Sequence, residues 1–192
     1  MKRFLFIFFL LCFMAAGAQA FGASVSLLPD SQTIGVGDTA DFDLWISGLG
    51  SYKAPSLGAF DLDIMFDQNI LAFGSLIFGS SLGSSDSSVD TTTPGVVALD
   101  ETSFLLTSEL YTYQPESFIL ASLTFTMINL GFSDLTLEKV VLSDAPGTGV
   151  ITVQELHGAK VYPVPVPCTF LLLLGGLAGL AGLRKKLRNL RI

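Results

Sequence analysis

Apolar and polar residues alternate with a period of two through most of the chain between its two apolar ends. Thr39-Ala40-Asp41-Phe42-Asp43-Leu44-Trp45-Ile46 places Phe42, Leu44 and Ile46 on one face. Phe60, Leu62, Ile64 and Phe66 share a face, and Asp61 and Asp63 take the other. Leu123, Phe125 and Met127 alternate with Thr124 and Thr126. Val150-Ile151-Thr152-Val153 and Ala159-Lys160-Val161-Tyr162 read as closing strands. Period two with one charged face predicts half-buried antiparallel sheets. Turn residues punctuate these runs, at Gly37-Asp38, Gly48 to Gly50, Asp67-Gln68-Asn69, Pro94-Gly95 and Asp144 to Gly147. Turns at these intervals predict an all-β, two-sheet antiparallel sandwich of about nine strands. Ser80 to Thr93 has little apolar bulk and reads as a surface loop. No helical period of useful length lies between the two termini.

The ends follow a different pattern. Lys2 and Arg3 precede an apolar run from Phe4 to Met14, and Ala18-Gln19-Ala20 supplies small residues around a cleavage point. Residues 1–20 are therefore expected to be an export signal, helical in its apolar core and cut after Ala20. Lipidation at Cys12 is the competing reading, but Leu10 and Leu11 are bulky where small residues are needed. At the other end Pro163, Pro165 and Pro167 alternate with Val164 and Val166, which makes residues 163–167 a stiff spacer. Residues 168–183 carry no charge and contain Phe170, Leu171, Leu172, Leu173, Leu174, Leu177, Leu180 and Leu183. Arg184, Lys185 and Lys186 begin a basic tail over 184–192. As a helix the uncharged run spans about 24 Å, short of a hydrocarbon core of roughly 30 Å by an amount that snorkelling lysines and arginines cover. The basic tail is expected on the cytoplasmic side and the sandwich outside, as a single-pass protein.

Charge sharpens this picture. The net charge of −7 averages very different parts. All 17 acidic residues lie between Asp30 and Glu155, and residues 21–162 carry only three lysines, Lys53, Lys139 and Lys160, and no arginine. Three lysines against 17 carboxylates give that domain a net charge of −14. Such a surface repels nucleic acid and anionic lipid and attracts cations or basic proteins. Both cysteines, Cys12 and Cys168, lie outside the domain, so packing alone must hold it together.

Candidate chemistry is sparse. His157 is the single histidine. No body cysteine accompanies it, and no Gly-x-Ser-x-Gly elbow presents a nucleophile, so no catalytic residue is assigned. Asp61 and Asp63 sit two apart on a strand, as do Asp41 and Asp43. They form either a solvated sheet face or part of a calcium site that Asp86 and Asp90 of the polar segment could complete. Trp45 falls on the Asp41/Asp43 face, and Tyr52, Tyr111 and Tyr113 lie in or near turns. These aromatics could stack on a sugar; for Trp45 the favoured reading is a ring covered by a neighbouring loop or by the second sheet.

Two resemblances carry these readings further. Val164-Pro165-Val166-Pro167, the Leu/Gly/Ala run after Cys168 and Arg184-Lys185-Lys186 resemble a PEP-CTERM sorting tail, with Val166 standing where that family usually has glutamate. The resemblance implies recognition and processing by an exosortase-type membrane protease, and release to the cell surface or extracellular matrix afterwards; a plain single-span anchor is the alternative. The body resembles a cohesin domain, a jelly roll related to carbohydrate-binding sandwiches. The matching pieces are Val36-Gly37-Asp38-Thr39, Gly58-Ala59-Phe60-Asp61-Leu62-Asp63-Ile64, Phe66-Asp67 before Ile70-Leu71, Leu120 to Phe125, and Gly158-Ala159-Lys160-Val161. That resemblance implies a non-catalytic module that uses a sheet face to hold a dockerin-like or basic protein, or a polysaccharide. A structural matrix or adhesion component without a discrete ligand is the second function class.

Overall fold

The computed structural model describes residues 22–147, 149–165 and Gly176. The signal over 1–20, and Val166 with nearly all of the tail after it, lie outside the described residues. Among the described residues no helix is long and apolar enough to cross a membrane.

Among the described residues the sandwich has eleven strands and one short helix between them. The strands are β1 (Ala23–Leu28), β2 (Ser31–Ile34), β3 (Thr39–Ser47), β4 (Leu57–Met65), β5 (Leu71–Phe78), β6 (Ser85–Asp90) and β7 (Val96–Ser103), followed by helix α1 (Thr107–Tyr113) and then β8 (Phe118–Met127), β9 (Ser133–Asp144), β10 (Val153–His157) and β11 (Ala159–Pro163). A five-stranded sheet has the order β10-β1-β3-β8-β5, and a six-stranded sheet the order β2-β11-β9-β4-β7-β6. Neighbours are antiparallel except β1 with β10 and β2 with β11, which run parallel. The first two strands are thus each paired with one of the last two.

The inner faces make one core. Ala40, Phe42, Leu44 and Ile46 of β3 face Phe60, Leu62 and Ile64 of β4, all buried. Phe125 of β8 sits at the centre, its ring edge-on to Phe42, Phe66 and Phe73 at centroid distances of 6.4, 5.2 and 5.8 Å. Each such contact is worth about 0.5–1.5 kcal/mol beyond the area it buries. The register of β8 against β3 steps from Leu44↔Ala121 to Trp45↔Ile119. Leu120 is the extra residue of a bulge, so both Leu120 and Ala121 turn inward.

Four expectations need correction. The sandwich has eleven strands rather than about nine. The polar stretch Ser80–Thr93 is not all loop: Ser85 to Asp90 pair with Ser103 to Ala98 as edge strand β6. A ladder of backbone bonds holds it, so it needs no apolar stripe, and Val89 is its one bulky apolar residue. Helix α1 was hidden because seven residues bury a single side chain, Leu110. The Glu109 carboxylate caps it by accepting the Leu106 N–H at 2.8 Å. Tyr111 and Tyr113 therefore lie on a helix. Lastly, β10 begins only at Val153, and Val150 makes an isolated bridge to Ser143.

The two ends of the sandwich differ in what they carry. At one end lie the connections Gly35–Asp38, Phe66–Ile70, Thr91–Gly95 and Ile128–Phe132, together with the chain's exit from β11. The other end holds Gly48–Ser56, Gly79–Ser84, the α1 segment, Ala145–Thr152 and the start of β1.

Candidate binding surfaces

Strand register brings the acidic residues together on the outer face of the six-stranded sheet. Alternation on β4 turns Asp61 and Asp63 outward once Phe60, Leu62 and Ile64 are committed to the core. Asp61 stands opposite Asp100 of β7, and Asp63 opposite Glu138 of β9. On β6, Asp86, Ser88 and Asp90 pair with Thr102, Asp100 and Ala98 and so share this face. All four sequence-expected carboxylates, Asp61, Asp63, Asp86 and Asp90, thus lie on one surface. Like charges directly opposed across strands destabilise a sheet.

Relief is partial. Lys139 occupies an irregular step of β9 at φ +48°, and its Nζ lies 3.3 Å from Asp61 Oδ1. Both partners are about half exposed, so solvent screens the pair and it adds little. Ser88 donates to Asp100 at 2.7 Å. The Thr92 backbone N–H donates to Asp90 at 2.8 Å and holds that carboxyl below its usual range. Asp63 Oδ1 is buried against its neighbours without a hydrogen-bond partner. Among the described residues no three His, Cys, Asp or Glu side chains converge to hold a metal ion.

The outer face of the five-stranded sheet contrasts with this one. Thr124 Oγ1 donates to Asp41 at 2.7 Å and Ser122 Oγ to Asp43 at 2.5 Å, so both carboxylates are held within the sheet. Trp45 is half-buried between Ser26 of β1 and Ile119 of β8. It is neither an open platform nor core.

The tyrosines separate by role. Tyr52 is exposed at φ +55°, and its N–H donates to the Gln114 carbonyl at 3.0 Å, next to exposed Tyr113. Two of the expected aromatics therefore lie at the α1 end, linked through the backbone bond to Gln114, while Tyr111 is half-buried and Trp45 stays on its sheet. Gln114, which sequence reasoning missed, organises that end. Its fully buried amide accepts the Leu57 N–H at 2.8 Å and donates to the Leu57 carbonyl at 2.7 Å. A glutamine after a tyrosine pair gives no sequence signal for this. His157 is exposed, with Nε2 3.1 Å from Glu155 Oε2.

Comparison with known proteins places the fold. No protein-family model matches the chain, and no curated protein matches it. Among solved structures it is similar to Coh-OlpA of Clostridium thermocellum, solved as a type I cohesin–dockerin complex. There the identity is 11% and the TM-score 0.60, over 74% of this chain and 99% of that one. It is similar to the non-cellulosomal cohesin of the archaeon Archaeoglobus fulgidus at 13% identity and TM-score 0.58, over 75% and 92% of the two chains. CaCohA2 of Clostridium acetobutylicum gives 20% identity and TM-score 0.58, over 74% and 91%. The described sandwich has a cohesin-like fold.

Proposed function

We propose that this chain is an exported, membrane-tethered, non-catalytic module that binds a protein partner through the outer face of β9, β4, β7 and β6. The observation that carries the reading is the opposed carboxylates Asp61–Asp100 and Asp63–Glu138; of the two lysines on that sheet face Lys139 reaches Asp61 and Lys160 is engaged by Asp134. A fold that tolerates repulsion on an open sheet face gains when a basic surface docks there, and the Asp63 oxygen without a partner gains a donor. The solved cohesin–dockerin complexes among its structural neighbours support a protein, rather than a small molecule, as the ligand. Export and tethering rest on the signal over 1–20 and the uncharged run over 168–183. Sorting by an exosortase-type protease rests on Val164-Pro165-Val166-Pro167. A second reading, a sugar at the α1 end, is favoured by exposed Tyr52 and Tyr113 both lying at that end.

The test is affinity capture from cell-envelope extract, with wild type and an Asp63→Asn/Asp100→Asn/Glu138→Gln variant side by side. A basic partner should be retained by wild type. It should be lost from the variant, and lost as salt rises from 0.05 to 0.5 M, as screening shortens to a few ångströms (about 4 Å). Equal retention by the variant, unmoved by salt, would remove this face from consideration.

A further inference from the structure

The end of the sandwich from which the chain leaves exposes a set of apolar side chains; Phe104, Leu106 and Val150 do the same at the opposite end, but only the exit end leads into the uncharged run. Val36 is 52% exposed in the β2–β3 turn, and Leu130 and Phe132 are 65% and 63% exposed in the β8–β9 connection. Ile128 and Val164 are exposed beside them. These side chains come from separate connections but share one end. The Gly37 N–H donates to the Met127 carbonyl at 2.8 Å, tying the first turn to the start of the second connection. The Val164 N–H donates to the Ile34 carbonyl at 3.0 Å, which pins the exit next to the Val36 turn.

The chain after this exit has one sequence character. Pro165 is followed three residues later by Cys168, where the uncharged run to Leu183 begins. Three residues reach at most about 11 Å even fully extended. The apolar tip and the apolar run therefore cannot be far apart. The carboxylates at this end are exposed but locally engaged: Asp38 accepts the Gly35 N–H, Asp67 accepts the Asn69 N–H, and Asp134 lies 2.8 Å from Lys160 Nζ.

We propose that this tip rests in the headgroup region of the bilayer that holds the run over 168–183, with Leu130 and Phe132 as the deepest side chains. The proposal rests on the anchoring reading above. Apolar side chains at a membrane surface bury themselves a few ångströms (about 5–10 Å) below the headgroups. The domain's net charge of −14 selects a zwitterionic surface over an anionic one. So seated, the strands stand up from the membrane, and the acidic sheet face is open to partners arriving sideways.

The experiment uses the mature chain recovered from cell membranes and reconstituted into phosphatidylcholine vesicles. Trp45→Phe removes the native indole, and a single new one is placed by Leu130→Trp or, at the opposite end, by Tyr113→Trp; both positions are exposed. Lipids carrying a quencher near the headgroup should extinguish the Leu130→Trp emission and spare Tyr113→Trp. Replacing a third of the lipid with an anionic one should lower the quenching at position 130. If the chain floats with the vesicles and Leu130→Trp is no more quenched than Tyr113→Trp, the tip proposal fails while anchoring stands. If the chain does not float, anchoring fails and the proposal goes with it.

Discussion

Glu101 shows what one residue against the pattern does. It occupies an inward position on β7 and is 2% exposed, so the fold has buried a carboxylate, between Phe60 of β4 and Ser87 of β6. Ser85 Oγ donates to Oε1 at 2.6 Å, and Oε2 has no hydrogen-bond partner. Burial raises its pKa, and the serine bond draws it back part of the way. The folded protein therefore keeps this proton to a higher pH than the unfolded chain, whose glutamates titrate near 4.3. Between those two values the folded state binds more protons, so stability falls as pH rises. The contribution is whole below the unfolded value and gone above the folded one. Glu101→Gln keeps an acceptor for Ser85 and removes the charge. Melting temperatures of the two proteins from pH 4 to 8 should converge in acid, with the variant higher at neutral pH. Curves that stay parallel throughout would show that Glu101 titrates alike in both states.

At the scale of elements, the handover between sheets is a tight point. β10 belongs to the five-stranded sheet and β11 to the six-stranded one, and Gly158 alone joins them. A Cβ at that position would sit 2.1 Å from the Leu135 carbonyl oxygen of β9, an atom that cannot swing aside. Gly158→Ala is expected to lower the unfolding free energy by about 1–3 kcal/mol, read from the urea midpoint. An unchanged midpoint would mean that β9 gives way at no cost. The strands that sequence made legible are those whose burial is one-sided. β3, β4 and β8 each have one face committed to the core, so alternation marks them. β6 and α1 escaped because they bury almost nothing, and their stability comes from neighbours rather than from their own pattern. The acidic face was half legible. Alternation put Asp61 and Asp63 on one side. Their partners Asp100 and Glu138 follow only from register, which is fixed by pairings dozens of residues away. The apolar tip was not legible, since Val36, Leu130 and Phe132 lie in connections where period two says nothing.

For the molecule as a whole, charge acts collectively. A domain with net charge −14 repels itself, and any salt eases that repulsion once the screening length falls to about 10 Å, near 0.1 M. A resident calcium ion would add a saturable, ion-specific gain on top. With no three acidic side chains converging among the described residues, the expectation is screening alone. Melting temperature should rise equally in calcium and magnesium at matched ionic strength, and a chelator should leave it unmoved. A calcium-specific rise that saturates would instead place a site on the acidic face.

The parallel pairing of β1 with β10 and of β2 with β11 also has a meaning in time. β2 touches no other strand of its sheet, so its only ladder partner lies in the last described strand. Ala23 meets Val153, a separation of roughly 130 residues, and contacts that distant form late because a long loop must close first. On the export proposed above, a chain threaded outward from its first residue would stay unclasped until β11 had cleared the pore. By then the proline-rich spacer is already following. On that proposal the clasp closes only after the strands it joins have both passed, which keeps the chain slack while it must still move.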